Sequence, residues 1–477
     1  HLGKPRGDVA VDQASRSGEL SQRAEVADEC HPRIGERAEL VVETLRCREL
    51  GDIDADHGGL QAPPWRADPN VSSAIGVSRW GLTGEEVIAR IGPRGDGVPA
   101  SGRHIPFAVP GDMLLDDGSL DHGPGHQVPP CRHFPACGGC QLQHLTNGAY
   151  ADYCALRVAG ALAQHGLETE LRAPHLSPPK TRRRATLRAL KAGGRVLLGF
   201  NEASSNRIVD MMECHILHPR LFNLLGPLRS LLAHALPQKR AGEVHLALAD
   251  QGPDVMLKGV EVVGLEAIEM LTVFCEANGL ARLSIDEGYG AEPRYEPQPV
   301  TVTLGGTPVP MPVAAFLQAT ADGEAALVEA VRESAAGSSR LADLFAGLGT
   351  FALSLDGQVT AVEASREAIL ALKSAARRAG RAIHADHRDL YRRPYDAGEL
   401  DAFDAVVLDP PRAGAQEQVS QLAASSVPRI AYVSCNPATF ARDAEVLAGG
   451  GYRLDWARPV GQFRWSTHVE LAAAFSR

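Results

Sequence analysis

Two hydrophobic patterns alternate along the last third of the chain: short apolar runs of strand length and longer stretches with helical periodicity. The runs occur within "RLADLFAGLGTFALSL", "QVTAVEAS", "IHADHRDL", "FDAVVLDPPRAG" and "RIAYVSCNPATF", and "REAILALKSAARRAG" is one of the amphipathic stretches between them. Strands that alternate with helices predict a doubly wound, mostly parallel sheet whose ligands bind at the carboxyl ends of the strands. We therefore predict an α/β, Rossmann-like domain over residues 301–477, with a helix directly after the glycines of the first run.

The two preceding segments have a different pattern. Residues 126–300 mix strand and helix patterns without a βαβ rhythm, and include the apparent helices "YADYCALRVAGALAQHGL" and "RLFNLLGPLRSLLAHAL". We predict a central α+β domain there. Residues 77–125 alternate short apolar runs with Gly, Pro and Asp, which predicts a small antiparallel β domain. Five strands would form an OB-like barrel, and the short length of this segment predicts a shortened one.

Residues 1–76 have almost no pattern of this kind. They contain no Phe or Tyr and a single Trp, Trp65. Such a segment buries too little apolar surface to offset the entropy of ordering it. We predict that it is disordered or an extension outside the folded protein.

Composition narrows the class of protein. No apolar run approaches the ~18 residues of a membrane span, and no signal peptide pattern opens the chain. The nine cysteines are an odd number in a chain of 477 residues, which favours a reducing compartment over a disulfide scaffold. We expect a cytoplasmic protein that does not enter the membrane.

Charge bears on the choice of partner. The formal net charge of −10 argues against nucleic acid at first sight, but binding to phosphates requires only a local basic surface. Residues 181–195, "TRRRATLRALKAGGR", carry six basic residues and no acidic one. This segment is either a solvated strand edge or a phosphate-binding track for folded RNA, from which a base could be flipped into a pocket.

The glycines of "DLFAGLGTF" lie where a strand ends and allow a close approach of a ligand, although a tight turn alone also requires glycine. Glu363 follows Gly347 by 16 residues and ends the next predicted strand, a position suited to a ribose diol. NAD is compatible with Gly347, Gly349 and Glu363 alone. Phe351 and Ala352, however, occupy the final positions of the dinucleotide fingerprint, and the longer pattern is that of S-adenosylmethionine methyltransferases.

Two further strand ends carry reactive groups. In "LDPPRAG", Asp409 and the two prolines after it form a rigid turn similar to the DPPY loops of amine methyltransferases, but Arg412 replaces the aromatic residue of that class. Cys435 ends the strand in "YVSCNPATF". A thiolate there could add to carbon 6 of a uracil and make carbon 5 nucleophilic. A base must then remove the carbon-5 proton, and Glu470 is the candidate, with His468 as its rival.

Three cysteines, Cys131, Cys137 and Cys140, have the spacing C-x5-C-x2-C in "CRHFPACGGC". A fourth thiol would complete either a zinc site or a four-iron cluster, and Cys154 and Cys214 are the available candidates. The residues alone leave zinc, iron–sulfur and unliganded thiols open.

Together, "SCNPAT", "HVE", "DPPRAG", "DLFAGLGTF", "FLQAT" and the cysteine spacing resemble bacterial RNA uracil-5 methyltransferases, in particular the iron–sulfur-containing 23S rRNA type. The resemblance extends from about residue 78 to 477. It implies a class I methyltransferase domain at the C-terminus, an N-terminal barrel of the TRAM type, and a central RNA-binding domain that carries the cysteines.

The resemblance also implies roles for individual residues. Cys435 would be the nucleophile and Glu470 the base. The S-adenosyl-L-methionine site would comprise Gln318, Phe345, Gly347, Gly349, Glu363, Asp389 and Asp409. A [4Fe–4S] cluster, in preference to zinc, would bind Cys131, Cys137, Cys140 and Cys214.

The expected reaction is methylation of carbon 5 of a uridine in RNA, with 23S rRNA as the expected substrate, tRNA as the alternative and a monomer as the acting species. Two other interpretations remain: a cytosine-C5 or exocyclic-amine methyltransferase, and a non-catalytic RNA-binding iron–sulfur module. The amine class requires no thiol at Cys435, and the module requires none of the reactive groups.

Overall fold

A computed structural model describes residues 85–477, so the predicted disordered segment 1–76 lies outside the described residues. The first described strands are short and antiparallel, in the order β2-β1-β3-β4. They are β1 (Glu86–Ile91), β2 (Gly97–Pro99), β3 (Met113–Leu114) and β4 (Leu120–Asp121). Turns with Pro106 and Pro110 occupy the stretch between β2 and β3, where proline removes the backbone donor that a longer strand would need. Four strands are thus present here where a complete OB-like barrel has five.

The central part contains a long helix, two short strands and a six-stranded sheet. Its elements are α1 (Asn147–Gln164), β5 (Glu170–Leu171), β6 (His175–Leu176), β7 (Arg184–Ala192), β8 (Arg195–Gly199), α2 (Pro219–Phe222), α3 (Leu225–Ala235), β9 (Ala241–Leu248), β10 (Pro253–Lys258), α4 (Leu265–Ala277), β11 (Arg282–Asp286) and β12 (Ala291–Tyr295). The sheet order is β12-β11-β10-β9-β7-β8. Strand β7, which carries Arg184, Arg188 and Lys191 of the basic run, lies between β9 and β8, whereas Arg195 lies on β8 at the edge of the sheet.

The predicted helix over "RLFNLLGPLRSLLAHAL" is interrupted. It forms α2 and α3, which are separated at Asn223 and Leu224. Pro227 has no N–H to donate to the carbonyl of Asn223, so the continuous hydrogen-bond ladder of a single helix cannot form there. Leu228, Leu231 and Leu232 of α3 are buried in the core of the central sheet.

The C-terminal part begins with a hairpin and continues as alternating strands and helices. Its elements are β13 (Thr301–Leu304), β14 (Thr307–Pro310), α5 (Ala321–Ser334), β15 (Arg340–Leu344), β16 (Gln358–Glu363), α6 (Arg366–Arg378), β17 (Ile383–His387), α7 (Ala397–Leu400), β18 (Ala405–Leu408), α8 (Gln416–Ala424), β19 (Arg429–Ser434), α9 (Pro437–Gly449), β20 (Arg453–Gly461) and β21 (Glu470–Ser476). The prediction of an α/β fold is confirmed.

Strands β15 to β21, together with β5 and β6 of the central part, form a nine-stranded sheet in the order β17-β16-β15-β18-β19-β21-β20-β5, in which β6 also pairs with β20; β13 and β14 form a separate two-stranded sheet. Strands β15 to β19 are parallel, and β21 is antiparallel to both of its neighbours. Two buried apolar clusters cover the two faces of the sheet. The strand order reverses between β15 and β18, and the crevice of a doubly wound sheet opens at such a reversal.

The predicted helix after the first glycines is absent. Residues 345–354 form turns, and the next assigned element is β16. Phe345, Gly347 and Gly349 all have positive φ, at 66°, 54° and 91°. A right-handed helix requires negative φ, so no regular helix can include these three residues. The segment therefore forms turns at the edge of the crevice. Within residues 85–477, no helix is long and apolar enough to cross a membrane.

Candidate active site

The carboxyl ends of β15 and β16 bring Gly347 and Glu363 together, as the sequence predicted. The backbone N–H of Gly347 donates to Glu363 Oε2 over 3.0 Å, and the N–H of Ser365 donates to Oε1 over 2.6 Å. Both carboxylate oxygens are therefore fixed by the main chain. The side chain is half-buried, so it is held in one orientation while still open toward the crevice.

Phe345 and Asp409 lie side by side because β15 and β18 pair in parallel with Leu344 opposite Leu408. The backbone N–H of Asp409 donates to the carbonyl of Leu344 over 3.3 Å. The ring of Phe345 lies 5.5 Å from that of Tyr391. The rings of Phe345 and Tyr391 and the carboxyl group of Asp409 therefore lie at the point where the strand order reverses.

Asp343, which the sequence analysis did not single out, lies beneath the crevice. It is fully buried, its Oδ2 accepts from the backbone N–H of Ala352 over 2.8 Å, and its Oδ1 has no partner among the described residues. Burial and the nearby charge of Glu363 raise the pKa of Asp343 to about 7. An acid within the apolar strand "RLADLF" was the only signal in the sequence.

A chain of side-chain hydrogen bonds joins Asp409 to Glu470. Gln318 Nε2 donates to Asp409 Oδ2 over 3.4 Å, and Gln462 Nε2 donates both to Gln318 Oε1 over 2.8 Å and to Glu470 Oε2 over 2.9 Å. Gln462 Oε1 also accepts from the backbone N–H of Ala319 over 2.9 Å. Gln462 directly follows β20 and lies outside the motifs on which the sequence analysis relied. This series of hydrogen bonds fixes the position of the Glu470 carboxyl group.

Cys435 and Glu470 are opposite each other at the ends of two paired strands. Ser434 pairs with Leu471 in the antiparallel register of β19 and β21, so the next residue of β19 faces the preceding residue of β21. Burial and the carboxyl groups of Glu470 and Asp409 raise the pKa of Cys435 to about 11. Burial raises the pKa of Glu470 to about 7, opposed by the hydrogen bond from Gln462 and the charge of Arg184.

Arg184, the first residue of β7, brings a positive charge from the central sheet to this site. Burial, together with Arg182, lowers its pKa to about 10, while the nearby Glu470 and Cys435 act in the opposite direction. Its guanidinium lies 4.5 Å above the ring centroid of Phe316, which is 62% exposed. The basic run therefore begins beside the candidate nucleophile, with an exposed aromatic ring next to it.

Two sequence candidates, Asp389 and His468, make none of the hydrogen bonds that join these residues. The carboxylate of Asp389 accepts from the backbone N–H of Tyr391 over 3.0 Å and pairs with Arg392 over 3.4 Å, so it is engaged in its own loop. His468 is exposed, whereas Glu470 is buried. His468, the rival base, precedes β21, which begins only at Glu470.

The four predicted cysteine ligands line one cavity between the "CRHFPACGGC" loop and the segment after β8. The lining includes Cys131, Cys137, Cys140 and Cys214. Cys154, the alternative fourth ligand, is buried in a different core cluster. All these thiols are free, so there is no disulfide among them. Burial, and to a smaller extent the neighbouring thiols, raise the pKa of Cys140 to about 12.

The cysteine loop also contacts the segment that leads to Glu470. The backbone N–H groups of Gln141 and Leu142 both donate to the carbonyl of Trp465, over 2.8 and 2.9 Å. Trp465 packs with Cys140 in one small buried cluster. The position of the β20–β21 loop therefore depends on the conformation of the cysteine loop.

Comparisons with known proteins agree with this site. A family model described as tRNA (Uracil-5-)-methyltransferase matches residues 380–477. An uncharacterized RNA methyltransferase of Zymomonas mobilis is 49% identical over 82% of this chain and 99% of its own length. A 23S rRNA (uracil(1939)-C(5))-methyltransferase of Chromohalobacter salexigens is 33% identical over 75% of this chain and 78% of its own length.

A solved structure shares the fold. The crystal structure of Pyrococcus abyssi tRNA (uracil-54, C5)-methyltransferase in complex with S-adenosyl-L-homocysteine superimposes with a TM-score of 0.65 at 22% identity. The match covers 83% of this chain and all of that one. The likeness at this level of identity concerns the fold.

Proposed function

The chain belongs to the RNA uracil-5 methyltransferase family, and from this premise we propose that it transfers a methyl group from S-adenosyl-L-methionine to carbon 5 of a uridine in RNA. The placement of Cys435 opposite Glu470 at the edge of the crevice supports this reaction most directly. An exocyclic-amine methyltransferase would have no use for a thiol at that position.

The chemistry assigns one step to each residue. The thiolate of Cys435 forms a bond to carbon 6, and the electrons of the 5,6 double bond move toward the carbonyl at carbon 4. Carbon 5 then takes up the methyl group, whose former bond electrons remain on the sulfur of the donor. Glu470 removes the carbon-5 proton, and the re-forming double bond expels the thiolate of Cys435.

The protonation states of the free site fit these roles. Glu470 titrates near neutral pH, so a substantial fraction is ionised and able to accept a proton. The thiol of Cys435 is protonated in the free protein because burial, together with the carboxyl groups of Glu470 and Asp409, raises its pKa to about 11. The thiol of Cys435 must therefore lose its proton when RNA binds. The positive charge of the Arg184 guanidinium favours the thiolate.

The methyl donor fits the crevice between β15 and β18. Glu363 would accept hydrogen bonds from the ribose diol, and the turn at Gly347 and Gly349 would let the backbone approach the ligand. Phe345 would cover the adenine, while Asp409, whose charge acts on Cys435, and Gln318, which donates to Asp409, would border the sulfonium. When bound, S-adenosyl-L-methionine supplies an electrophilic methyl group.

We further propose that Cys131, Cys137, Cys140 and Cys214 hold a [4Fe–4S] cluster. A single zinc ion with Zn–S bonds of about 2.3 Å brings its sulfur ligands to about 3.8 Å from one another. Among the described residues, no three of these four sulfurs lie within 4.8 Å of one another. This wider spacing of the sulfur atoms favours a polynuclear cluster over a single zinc ion. The cluster would have a structural role, because it would crosslink the cysteine loop to the segment that carries Cys214.

The basic run supports folded RNA as the substrate, and the 23S rRNA relative supports ribosomal RNA over the tRNA alternative. A shortened TRAM-type barrel at the N-terminal sheet, a cytoplasmic location and a monomeric state belong to the same proposal. The domain boundaries 77–125, 126–300 and 301–477 stay predictions.

Mapping 5-methyluridine in total RNA tests the proposed function. A strain that lacks the protein should lose one 5-methyluridine in 23S rRNA, and wild-type protein should restore it. Cys435→Ala should not restore it although it still binds S-adenosyl-L-methionine, whereas Cys275→Ala, which removes a buried thiol of the central sheet, should restore it. An unchanged RNA methylation map, or activity of Cys435→Ala near wild type, would exclude this function.

A further inference from the structure

Three side chains with metal-binding atoms converge outside the proposed active site. Asp112 precedes β3, His122 follows β4, and His126 lies in the loop that leads to the cysteines. One ligand atom of each lies within 4.8 Å of those of the other two. Within residues 85–477, no other group of three or more His, Cys, Asp or Glu residues meets this distance.

The main chain fixes the carboxylate of Asp112. This side chain is 0% exposed, its Oδ1 accepts from the backbone N–H of Gly123 over 2.8 Å, and its Oδ2 accepts from that of Val109 over 2.9 Å. The oxygen that faces the histidines is therefore oriented before any ligand binds. Such preorganisation lowers the entropic cost of binding.

Both histidines direct Nδ1 toward the same oxygen. The distance from Asp112 Oδ2 is 3.1 Å to His126 and 3.6 Å to His122. A tetrahedral ion with bonds of 2.0–2.2 Å separates its ligand atoms by about 3.3 Å, which is close to both distances. A hydrogen bond accounts for the shorter contact but not for the second imidazole, whose ring centroid lies only 3.7 Å from the first.

A third histidine, His144, provides an independent indication. His144 is 1% exposed, and neither of its ring nitrogens has a hydrogen-bond partner among the described residues. Its ring centroid lies 5.7 Å from that of His126. A buried polar group without a partner is costly, and a water molecule bound to an ion at this cluster would supply one.

We propose that Asp112, His122 and His126 bind a divalent transition-metal ion of the zinc type. Two imidazole nitrogens and one carboxylate oxygen form a ligand set that zinc accepts, and the 53% exposure of the His122 side chain leaves one side open to water. This site uses no thiolate, so it is distinct from the cysteine cavity.

The place of the ion in the fold indicates a structural role. Its ligands come from both ends of the β3–β4 hairpin and from the loop that continues to Cys131. This loop is held at His144, whose carbonyl accepts from the backbone N–H of Gln127 over 2.8 Å. A bound ion would thus fasten the N-terminal sheet to the cysteine loop.

Zinc retention in the full-length protein tests this site. Wild type and His122→Gln are incubated with excess zinc chloride, desalted, and analysed for zinc and iron by mass spectrometry. We expect wild type to retain one zinc equivalent more than His122→Gln, with equal iron in both. Loss of a residue that only supports a ligand weakens metal affinity by up to about 100-fold. Loss of His122, a direct ligand, should therefore raise the Kd for zinc by at least about 100-fold.

Two further variants complete the test. His126→Gln should behave as His122→Gln does. His104→Gln removes another exposed histidine of the same sheet region that faces a carboxylate, Asp96 at 3.5 Å, and should retain the zinc. Zinc taken up by the cysteines would be the same in all variants. Equal zinc in wild type, His122→Gln and His126→Gln would show that the three side chains are only hydrogen-bonded and would overturn the proposal.

Discussion

Three buried carboxyl groups, those of Asp343, Asp409 and Glu470, lie in or beneath the crevice of the proposed active site, and burial raises the pKa of each. Burial raises the pKa of Asp409 well above its ordinary value, and the charges of Glu470 and Asp343 raise it further. Asp343 and Glu470 each titrate at about 7. The site therefore carries much less negative charge than its residues suggest, which suits a substrate as anionic as RNA.

Glu470→Gln should stabilise the fold above neutral pH. The pKa of Glu470 is 4.5 in an unfolded chain and about 7 in the folded protein, so the folded state binds the proton more tightly. This group therefore makes the fold less stable as pH rises from 4.5 to 7, by about 3 kcal/mol in total. We expect nearly equal melting temperatures for wild type and variant at pH 4, below the unfolded pKa, and a higher one for the variant at pH 8. A difference that is the same at both pH values would contradict the buried, raised carboxyl group.

Gln462→Leu should shift the pH dependence of methyl transfer. The Gln462 amide donates to the carboxylate of Glu470 and lowers its pKa, so its loss should raise that pKa above about 7. The acidic limb of kcat/KM against pH, which reports the free enzyme, should then move to higher pH. Gln418→Leu removes an amide that binds the backbone of Tyr395, away from the site, and should leave the limb in place.

Short motifs at strand ends made individual residues predictable from the sequence. Cys435 lies at the end of β19, as its motif indicated, and Glu470 begins the neighbouring strand β21; their chemical roles stay predictions. Gln462 and Asp343 were not predicted to belong to the site. Their contributions arise from a hydrogen bond across two strands and from burial beneath a turn, and neither leaves a local pattern in the sequence.

At the scale of elements, the turn after β15 depends on one glycine more than on the other. A Cβ at Gly349 would lie 2.4 Å from Cδ1 of Leu372 in α6, and the φ of 91° is strained for other residues. A Cβ at Gly347 meets nothing within 4 Å, and its φ of 54° lies in the left-handed region that other residues reach at a modest cost.

Gly349→Ala should therefore destabilise the protein by about 2–5 kcal/mol, as the sum of backbone strain and overpacking. Gly347→Ala, its matched control, should cost about 1–2 kcal/mol. Urea unfolding followed by tryptophan fluorescence measures the difference. Equal midpoints for the two variants would show that packing against α6 does not set this turn.

Elements with strong periodicity were predictable, and those set by backbone geometry were not. The alternating patterns predicted β15, β16, α6 and β19 at their observed places. The helix expected after the glycines is a series of turns, because Phe345 and both glycines have positive φ. Composition alone does not distinguish a glycine in a helix from one that requires positive φ.

At the scale of the whole molecule, the cysteine loop connects the central part to the proposed active site through Trp465. Cys214→Ser should abolish the iron content, lower the melting temperature and reduce methyl transfer to RNA at least about tenfold, because the β20–β21 loop loses its support. Binding of S-adenosyl-L-methionine, measured by calorimetry, should change little. Cys154→Ser, at a thiol outside the cavity, should keep its iron; loss of iron in both variants or in neither would contradict this assignment.

Long-range assembly could not be predicted from residues alone. The spacing C-x5-C-x2-C left the metal and the fourth ligand open, and the fold brings Cys214 to the cavity from 74 residues beyond Cys140. Similarly, a net charge of −10 gave no hint that Arg184 lies beside Glu470 and Cys435. These relations depend on how the sheets are placed, which only the folded structure determines.

The covalent step at Cys435 is the most direct test of the proposed mechanism. Glu470→Gln is mixed with S-adenosyl-L-methionine and substrate RNA, denatured, and analysed by intact mass spectrometry and peptide mapping. Because carbon 5 keeps its proton, we expect a stable protein–RNA adduct, methylated and attached at Cys435, that is absent from the double variant with Cys435→Ala. Normal turnover of Glu470→Gln without any adduct, or an adduct at another residue, would contradict the proposed roles of Cys435 and Glu470.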